Sequence, residues 1–519
     1  MKTPSFPSLG LFLFGWSAFT PSTRAGEAAT WHVFQYEHVL GTSLDLRFVA
    51  RSDTAAASAE SAALAEIDRL ARILSSYDPA SEFSRWQATR GVATRVSSEL
   101  FEVLALFDAW RDRTDGALDA SAEVAGRLWK AAAQQQRVPS ANEIATVVAA
   151  VCQTHWRLDA ATQTATHLSD APLILNSFAK SYIIERASAA ALAAGPVETA
   201  VVNIGGDLVV RGAAADTIAI ADPEADAEND APLTQIAVQN RAVATSGSYR
   251  RGVDVAGRWY SHLVDPRTGL PVDHVRSATV VAPRATDAGA LATALCVMPP
   301  EAGMRLAATV RDVECLLITS DGSRIASAGW SGIETVPPPA ATNWVQAVAA
   351  RPGSAPTARS ASTWDPAYEL SVNLELATLG GGRARKPFVA VWIEDKEGFS
   401  LRTLALWYHG ARWLPDLRAW NHADQLRLMT GDTRIVESVS SATRGPGKYL
   451  LKWDGRDGGG QLVSRGKYTV AIEVAREHGT HQVMRQEVDF TGEPGRFDFP
   501  SNLEVAAASL AYRRKSASP

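Results

Sequence analysis

The stretch Thr199-Ala-Val-Val-Asn-Ile-Gly-Gly-Asp-Leu-Val-Val-Arg-Gly212 carries two apolar, β-branched runs on either side of Gly205-Gly206. Short β-branched runs closed by Gly, Pro or Asp read as strands. The pair of glycines lets backbone approach a ligand or a second strand closely, or makes a plain β-turn. Further runs of this kind follow at 217–222 (TIAIAD), 278–283 (ATVVAP) and 314–322 (ECLLITSDG). Upstream, 39–50 (VLGTSLDLRFVA) alternates like a strand. Residues 55–75 instead place Leu64, Ile67, Leu70, Ile73 and Leu74 at helical spacing. Mixed strands and Ala-rich helices over residues 30–335 predict an α+β or α/β domain.

Beyond it the character changes twice. Residues 336–363 are rich in Pro, Ala and Ser with little to bury, and read as a linker. From 364 to 500 come short alternating strands with Asp and Gly turns, among them YELSVNLELA, PFVAVWIEDKEG and GKYTVAIEVARE. This predicts an all-β, immunoglobulin-like sandwich. Residues 501–519 read as weakly helical, then basic and frayed: a flexible tail. The 519 residues, 46% of them hydrophobic, suit a globular protein of two or three domains, and a net charge of -5 gives no global reason to bind nucleic acid. Residues 1–25 combine Lys2, an apolar run from Leu9 to Phe19 and Thr23-Arg24-Ala25, the pattern of an export signal cleaved near Ala25. The expected location is therefore periplasmic or otherwise extracytoplasmic, soluble after cleavage. Cys152, Cys296 and Cys315 form no CxxC unit; they read as core thiols, or as one disulfide and a free thiol.

Two further constellations carry chemistry. Thr245-Ser246-Gly247 offers hydroxyls and a glycine, suited to a phosphate or to a tight polar turn. Ser261-His262-Leu263-Val264-Asp265-Pro266-Arg267-Thr268-Gly269 sets an imidazole and a guanidinium on a strand-to-turn segment, where they could assist phosphoryl transfer. With Leu40-Gly41-Thr42, Leu74 to Tyr77, Ser81 to Arg85, Asp115-Gly116-Ala117-Leu118-Asp119, Leu175 to Lys180, the Asn203 to Asp207 run and Ala290-Leu291-Ala292-Thr293, these segments resemble, in order, the ApbE-type FAD:protein FMN transferases.

The resemblance implies a Mg²⁺-dependent enzyme that moves the FMN half of FAD onto a Thr or Ser hydroxyl of an exported flavoprotein, releasing AMP. Carried over by position, Leu40, Ala117, Leu118, Asp119, Lys180 and His262 fall at FAD contacts, with His262 also at the histidine important for transfer. Ser177, through its carbonyl, and Thr293 fall at Mg²⁺ ligands. Three departures stand out. The family's metal-binding Asp, four residues before the Thr, is Gly289 here, with Asp287 the nearest acid; a bulge or shifted helix start would let Asp287 serve. Ser181 replaces a Gly after the Lys, and Ile174 stands where an Asp is common. The alternative is a flavin-binding, catalytically weak member serving as a redox or docking module.

The second domain resembles an uncharacterised exported β-domain found beside flavin transferases and membrane redox proteins. Within it, Glu437-Ser-Val-Ser-Ser-Ala-Thr443 approximates the acceptor pattern D-x-x-[S/T]-G-A-T, which nominates Thr443 for covalent FMN and the chain's own C-terminal domain as acceptor. A membrane redox partner is the other role expected of that domain.

Overall fold

The run at 199–212 folds as the central hairpin of the first domain. Strands Val197–Ile204 and Asp207–Gly212 pair antiparallel with Ile204 opposite Asp207, so the loop is Gly205-Gly206 alone. Both glycines have positive φ, +60° and +97°, the requirement of a tight turn matched to strand twist. The computed structural model describes residues 28–335 except 226, 228 and 250, then 363–378, 386–408, 416–429, 440–441, 444–476 and 480–515. The expected signal segment, the linker up to residue 362 and Thr443 lie outside the described residues.

The hairpin sits inside an eight-stranded sheet. Its order is Thr30–Val39, Thr42–Ala50, Val197–Ile204, Asp207–Gly212, Arg241–Gly247, Val275–Ala282, Glu314–Thr319 and Arg324–Ala326, antiparallel throughout. Strand periodicity divides its side chains between two cores. Ala200, Val202 and Ile204, with Leu44, Leu46, Phe48, Val280 and Leu317, face a layer of helices that includes Asp53–Leu74, Ser98–Arg113, Asn176–Ala193 and Ala285–Val297. Val201, Val210, Val243, Val281, Leu316 and Ile318 face the other way. There they pack with Ile220, Ile236, Val238 and Trp330 beneath a three-stranded sheet of Asp216–Ile220, Thr234–Val238 and Glu334–Thr335. Two cores on one sheet make this an α+β domain.

The C-terminal domain is a sandwich. One sheet runs Gly447–Trp453, Tyr368–Leu376, Val505–Arg514, Gly495–Phe499; the other runs Ser440–Ser441, Ser400–Trp407, Phe388–Glu394, Lys467–Ala475, His481–Asp489. Alternate residues Leu370, Val372, Leu374 and Val389, Val391, Ile393 and Val470, Ile472, Val474 meet between the sheets. Trp364 packs there on Trp453 with ring centroids 4.8 Å apart, and Trp407 is buried in the same core.

One expectation is corrected. Strand Val505–Arg514 occupies the tail: it pairs with Tyr368–Leu376 on one side and Gly495–Phe499 on the other. Its Val505, Ala508, Leu510 and Tyr512 point into the core, so burial overrides an Ala-rich composition that suggests a frayed helix. The sandwich expected for the second domain is present, and it carries one helix on its outside. Helix Arg418–Met429 lays Trp420 and Ala423, with Leu417 just before it, over Phe388, Ala390, Trp392 and Ala471 on the outer face of the five-stranded sheet. Of the three cysteines, Cys296 and Cys315 are core thiols, pushed up to about 12 and about 11 chiefly by burial, while Cys152 is exposed. The domains touch where Lys386 Nζ lies 2.9 Å from Asp45 Oδ1 and where the Asn229 side chain bonds both backbone groups of Lys452, at 2.8 and 3.0 Å.

Candidate active site

Two turns meet at one end of the large sheet. Leu40 and Gly41, with φ of 51° and 75°, reverse the chain between the first two strands, and Leu44 pairs with Ile204 beside them. The Gly205 N–H donates to Ser43 O at 3.0 Å. A Cβ on Gly205 would lie 2.7 Å from Thr42 Oγ1 and 2.8 Å from Thr42 Cγ2, so the glycine is required by a neighbouring strand end. Lys180, on helix Asn176–Ala193, reaches Asp207 Oδ2 at 2.7 Å and thereby ties this helix to the glycine turn. Leu40 and Lys180 are therefore both placed at elements that border the turns.

The segment 115–119 follows helix Ser98–Arg113. Asp115 and Gly116 have positive φ, and the Thr114 hydroxyl accepts the Leu118 N–H at 3.1 Å. A Cβ on Gly116 would lie 3.6 Å from Arg267 Cγ, which brings this loop against the 261–269 segment. Ala117 and Leu118 are buried. Asp119 is turned into the protein: Oδ1 accepts from Ser121 N and Oγ at 2.8 and 2.6 Å, capping the short helix Ala120–Ala122. Arg111 Nε stands 2.7 Å from Oδ2 as an ion pair without hydrogen-bond alignment. Nothing in the sequence links Arg111 to the loop.

The 261–269 segment is locked by its own residues. Arg267 Nε and Nη2 donate to the two oxygens of buried Asp265 at 2.9 and 2.8 Å. Asp265 Oδ1 also accepts the Arg267 N–H at 2.9 Å. The guanidinium is thus a brace for the loop. Thr245-Ser246-Gly247 is not a tight turn: these are the last residues of strand Arg241–Gly247, paired with Ser277 to Thr279.

His262 is exposed, with the ring's Nδ1 3.0 Å from Arg251 O. A carbonyl only accepts, so Nδ1 carries the proton and the neutral ring presents its lone pair at Nε2. Desolvation by the protein around the ring holds its pKa below the usual imidazole value. The bond to Arg251 O opposes this, and the charges of Arg251 and Lys130 add to it. A neutral imidazole at neutral pH is equipped to accept a proton.

The residues at the implied cation position come from two helices that cross. Ser177 and Ser181 share one face of Asn176–Ala193; Gly289 and Thr293 share one face of Ala285–Val297, each pair one turn apart. A Cβ on Gly289 would lie 3.3 Å from Ser177 O and would overlap Ser181 Oγ. Thr293 Oγ1 donates to Gly289 O at 3.1 Å, which commits its proton and leaves its lone pairs. Ser177 and Thr293 are thus brought to the same crossing.

Asp287 is not brought there. Its helix is regular from Ala285, with no bulge, and positions 287 and 289 point about 200° apart around it. Burial raises the Asp287 pKa, while Arg284 and Arg113 lower it. The donors at the crossing, Ser177 O, Ser181 Oγ and Thr293 Oγ1, are all neutral. A hard divalent cation favours carboxylate among its oxygens, so these residues do not fit a cation held by protein groups alone. Among the described residues no cluster of three or more His, Cys, Asp or Glu could hold a metal.

Residues 40–317 match the sequence pattern of the ApbE family. The chain belongs to the ApbE family. Residues 369–507 match a second pattern, described as a predicted periplasmic protein, DUF2271. Among curated ApbE relatives, the FAD:protein FMN transferase of Vibrio cholerae serotype O1 is 30% identical over 298 residues, 54% of this chain and 86% of that protein. That of Haemophilus influenzae is 28% identical over 267 residues, 49% of this chain and 77% of its own length. The Treponema pallidum enzyme is 34% identical, but the match spans only 30% of this chain and 46% of that protein. Among solved structures, the ApbE protein of Thermotoga maritima superposes with a TM-score of 0.52 at 26% identity, covering 59% of this chain and 100% of that one. These confirm the family and the α+β fold expected for the first domain.

Proposed function

We propose that the chain is an FAD:protein FMN transferase acting outside the cytoplasm, with FAD as substrate and AMP as leaving group. The observation that carries this reading is His262: in a family-matched segment braced by Asp265 and Arg267, a neutral ring offers Nε2 to a proton. In the reaction, the oxygen of an acceptor Thr or Ser attacks the phosphorus of the FMN half. The bond from that phosphorus to the bridging oxygen breaks, the electron pair leaves with AMP, and the hydroxyl proton passes to His262 Nε2. Lys180 would hold the phosphates, and Leu40, Ala117 and Leu118 would line the flavin dinucleotide; Asp119 supports that loop from behind. The acceptor is an exported flavoprotein or the chain's own second domain at Thr443, which would then carry covalent FMN. AMP release from FAD with an acceptor peptide tests the reading, and no AMP from a folded, flavin-binding chain would sink it.

A second reading is favoured by the neutral oxygens where Gly289 meets Ser181: a flavin-binding member with weak catalysis, serving as a redox or docking module for a membrane partner. Protein-bound flavin without AMP release would mark it.

A further inference from the structure

We propose that Lys130, Arg251 and Trp259, grouped around His262, are the surface that receives the acceptor: a loop carrying the reacting hydroxyl and an acidic residue a few positions before it. The identity of the occupant as acceptor rests on the transferase reading; the preference of this surface for an acidic peptide does not.

Three elements converge on His262. Strands Gly252–Val255 and Arg258–Ser261 form a hairpin with Gly252 opposite Ser261 and Val253 opposite Tyr260. Val253, Val255 and Tyr260 pack with Ala125 and Trp129 of helix Glu123–Gln134. The Trp129 ring lies 4.7 Å from that of Tyr260, and its Nε1 donates to Gly269 O at 2.9 Å. The helix is therefore fixed to the chain on either side of His262. Its next residue, Lys130, is exposed and near enough for its charge to act on the imidazole. Arg251 is held more directly, since its carbonyl accepts both the N–H and the Nδ1–H of His262, at 3.1 and 3.0 Å.

The charge of this surface is left for a partner. Arg251 is exposed and, among the described residues, has no ion-pair partner. Lys130 shares Glu123 Oε1, 3.9 Å away, with Arg127, whose Nε is nearer at 3.2 Å. The surplus is positive, which favours an anionic counterpart. Apolar area adjoins it, because Trp259 is 50% exposed. The indole lies across Gly252, where a Cβ would come within 2.6 Å of Trp259 Cζ2. The glycine thus makes room for a large ring at the surface, and aromatic and cationic side chains together are the common anchors of a protein contact. Lys180, at the glycine turn, is the cation proposed for the FAD phosphates, which leaves Lys130 and Arg251 to the second substrate. The heptad of this chain has the matching chemistry, with Glu437 six residues before Thr443.

The experiment uses the full chain and two labelled peptides of residues 435–443, one native and one with Glu437→Gln, their binding followed by fluorescence anisotropy. The parent chain is expected to bind the native peptide about fivefold more tightly, the scale of exposed ion pairs. That advantage should shrink as salt is raised. Lys130→Ala/Arg251→Ala is expected to bind both peptides equally, and Trp259→Ala to weaken both by about tenfold. All three side chains are exposed, so thermal midpoints should stay at the parent value. No binding, or equal binding of the two peptides by the parent chain, overturns the proposal. So does a loss of FAD affinity in Lys130→Ala/Arg251→Ala, read from flavin fluorescence, which would assign these cations to the flavin phosphates. Preference for the native peptide with bound FAD but no AMP release sinks the transferase reading and upholds the acidic preference of the surface.

Discussion

His262 is a surface imidazole whose tautomer is fixed by one backbone carbonyl, and that single bond determines which nitrogen meets a substrate. His262→Ala is expected to lower kcat/KM for AMP release by about 100-fold, as loss of a general base does, with the thermal midpoint of the parent chain retained. Normal turnover would remove His262 from the reaction. The pH dependence has a definite sign. Because the folded pKa lies below the ordinary imidazole value, activity should be level at neutral pH and fall only on acidification below about 6.5. Stability follows the same direction: the unfolded chain takes the proton first, so the contribution present above that pH is lost as pH falls through the folded pKa. Buried His155 and His167, both lowered by desolvation, act in the same sense. Thermal midpoints at pH 5 and 7.5 check it, and a higher midpoint at pH 5 would contradict the assignment. At this scale the sequence nominated His262, Lys180, Ser177 and Thr293 by motif. It did not reveal that Asp119 points inward or that Asp287 lies on the wrong side of its helix, because both depend on local helical phase and capping.

Elements show where pattern reading holds and where it yields to packing. The hairpin at 197–212 was legible because β-branched runs and a double glycine agree. Helix Arg418–Met429 was not, since its amphipathic stripe is short and the surrounding sequence is strand-like. Its N-terminus depends on a residue 53 or more positions away: Glu473, fully buried, accepts the Ala419 and Trp420 N–H groups at 2.9 and 2.7 Å. Glu473→Ala leaves those donors without a partner and should destabilise the sandwich by about 1–3 kcal/mol, read from denaturant unfolding followed by tryptophan fluorescence. A change below experimental scatter would show that the helix holds by its apolar face alone. The last strand makes a second test. Truncation after Ser501 removes the neighbour of both Tyr368–Leu376 and Gly495–Phe499, and the sandwich should become sensitive to limited proteolysis while the first domain stays resistant.

In the whole molecule, the two domains keep separate cores, and among the described residues the polar contacts between them include the buried Lys386 and Asp45 ion pair. The tryptophans follow that division. Trp86 and Trp110 belong to the first core, and Trp364, Trp392, Trp407, Trp420 and Trp453 to the cores of the second, so these five serve packing. Domain order was readable because composition and periodicity shift sharply at the linker; the contacts between domains were not, since they join single residues far apart in the chain. Fusion has a kinetic consequence if the second domain is the acceptor. A tethered hydroxyl is held at an effective concentration set by the linker, so modification within one chain should be first order and unchanged by dilution. Intact mass during incubation with FAD should rise by one FMN less one water, at a rate independent of protein concentration, and Thr443→Ala should abolish the gain. A rate that falls about tenfold on tenfold dilution would mean that one chain modifies another. An unchanged mass in a chain that still transfers FMN to an added peptide, with release of AMP, would leave the acceptor outside the molecule and the sandwich as its docking surface.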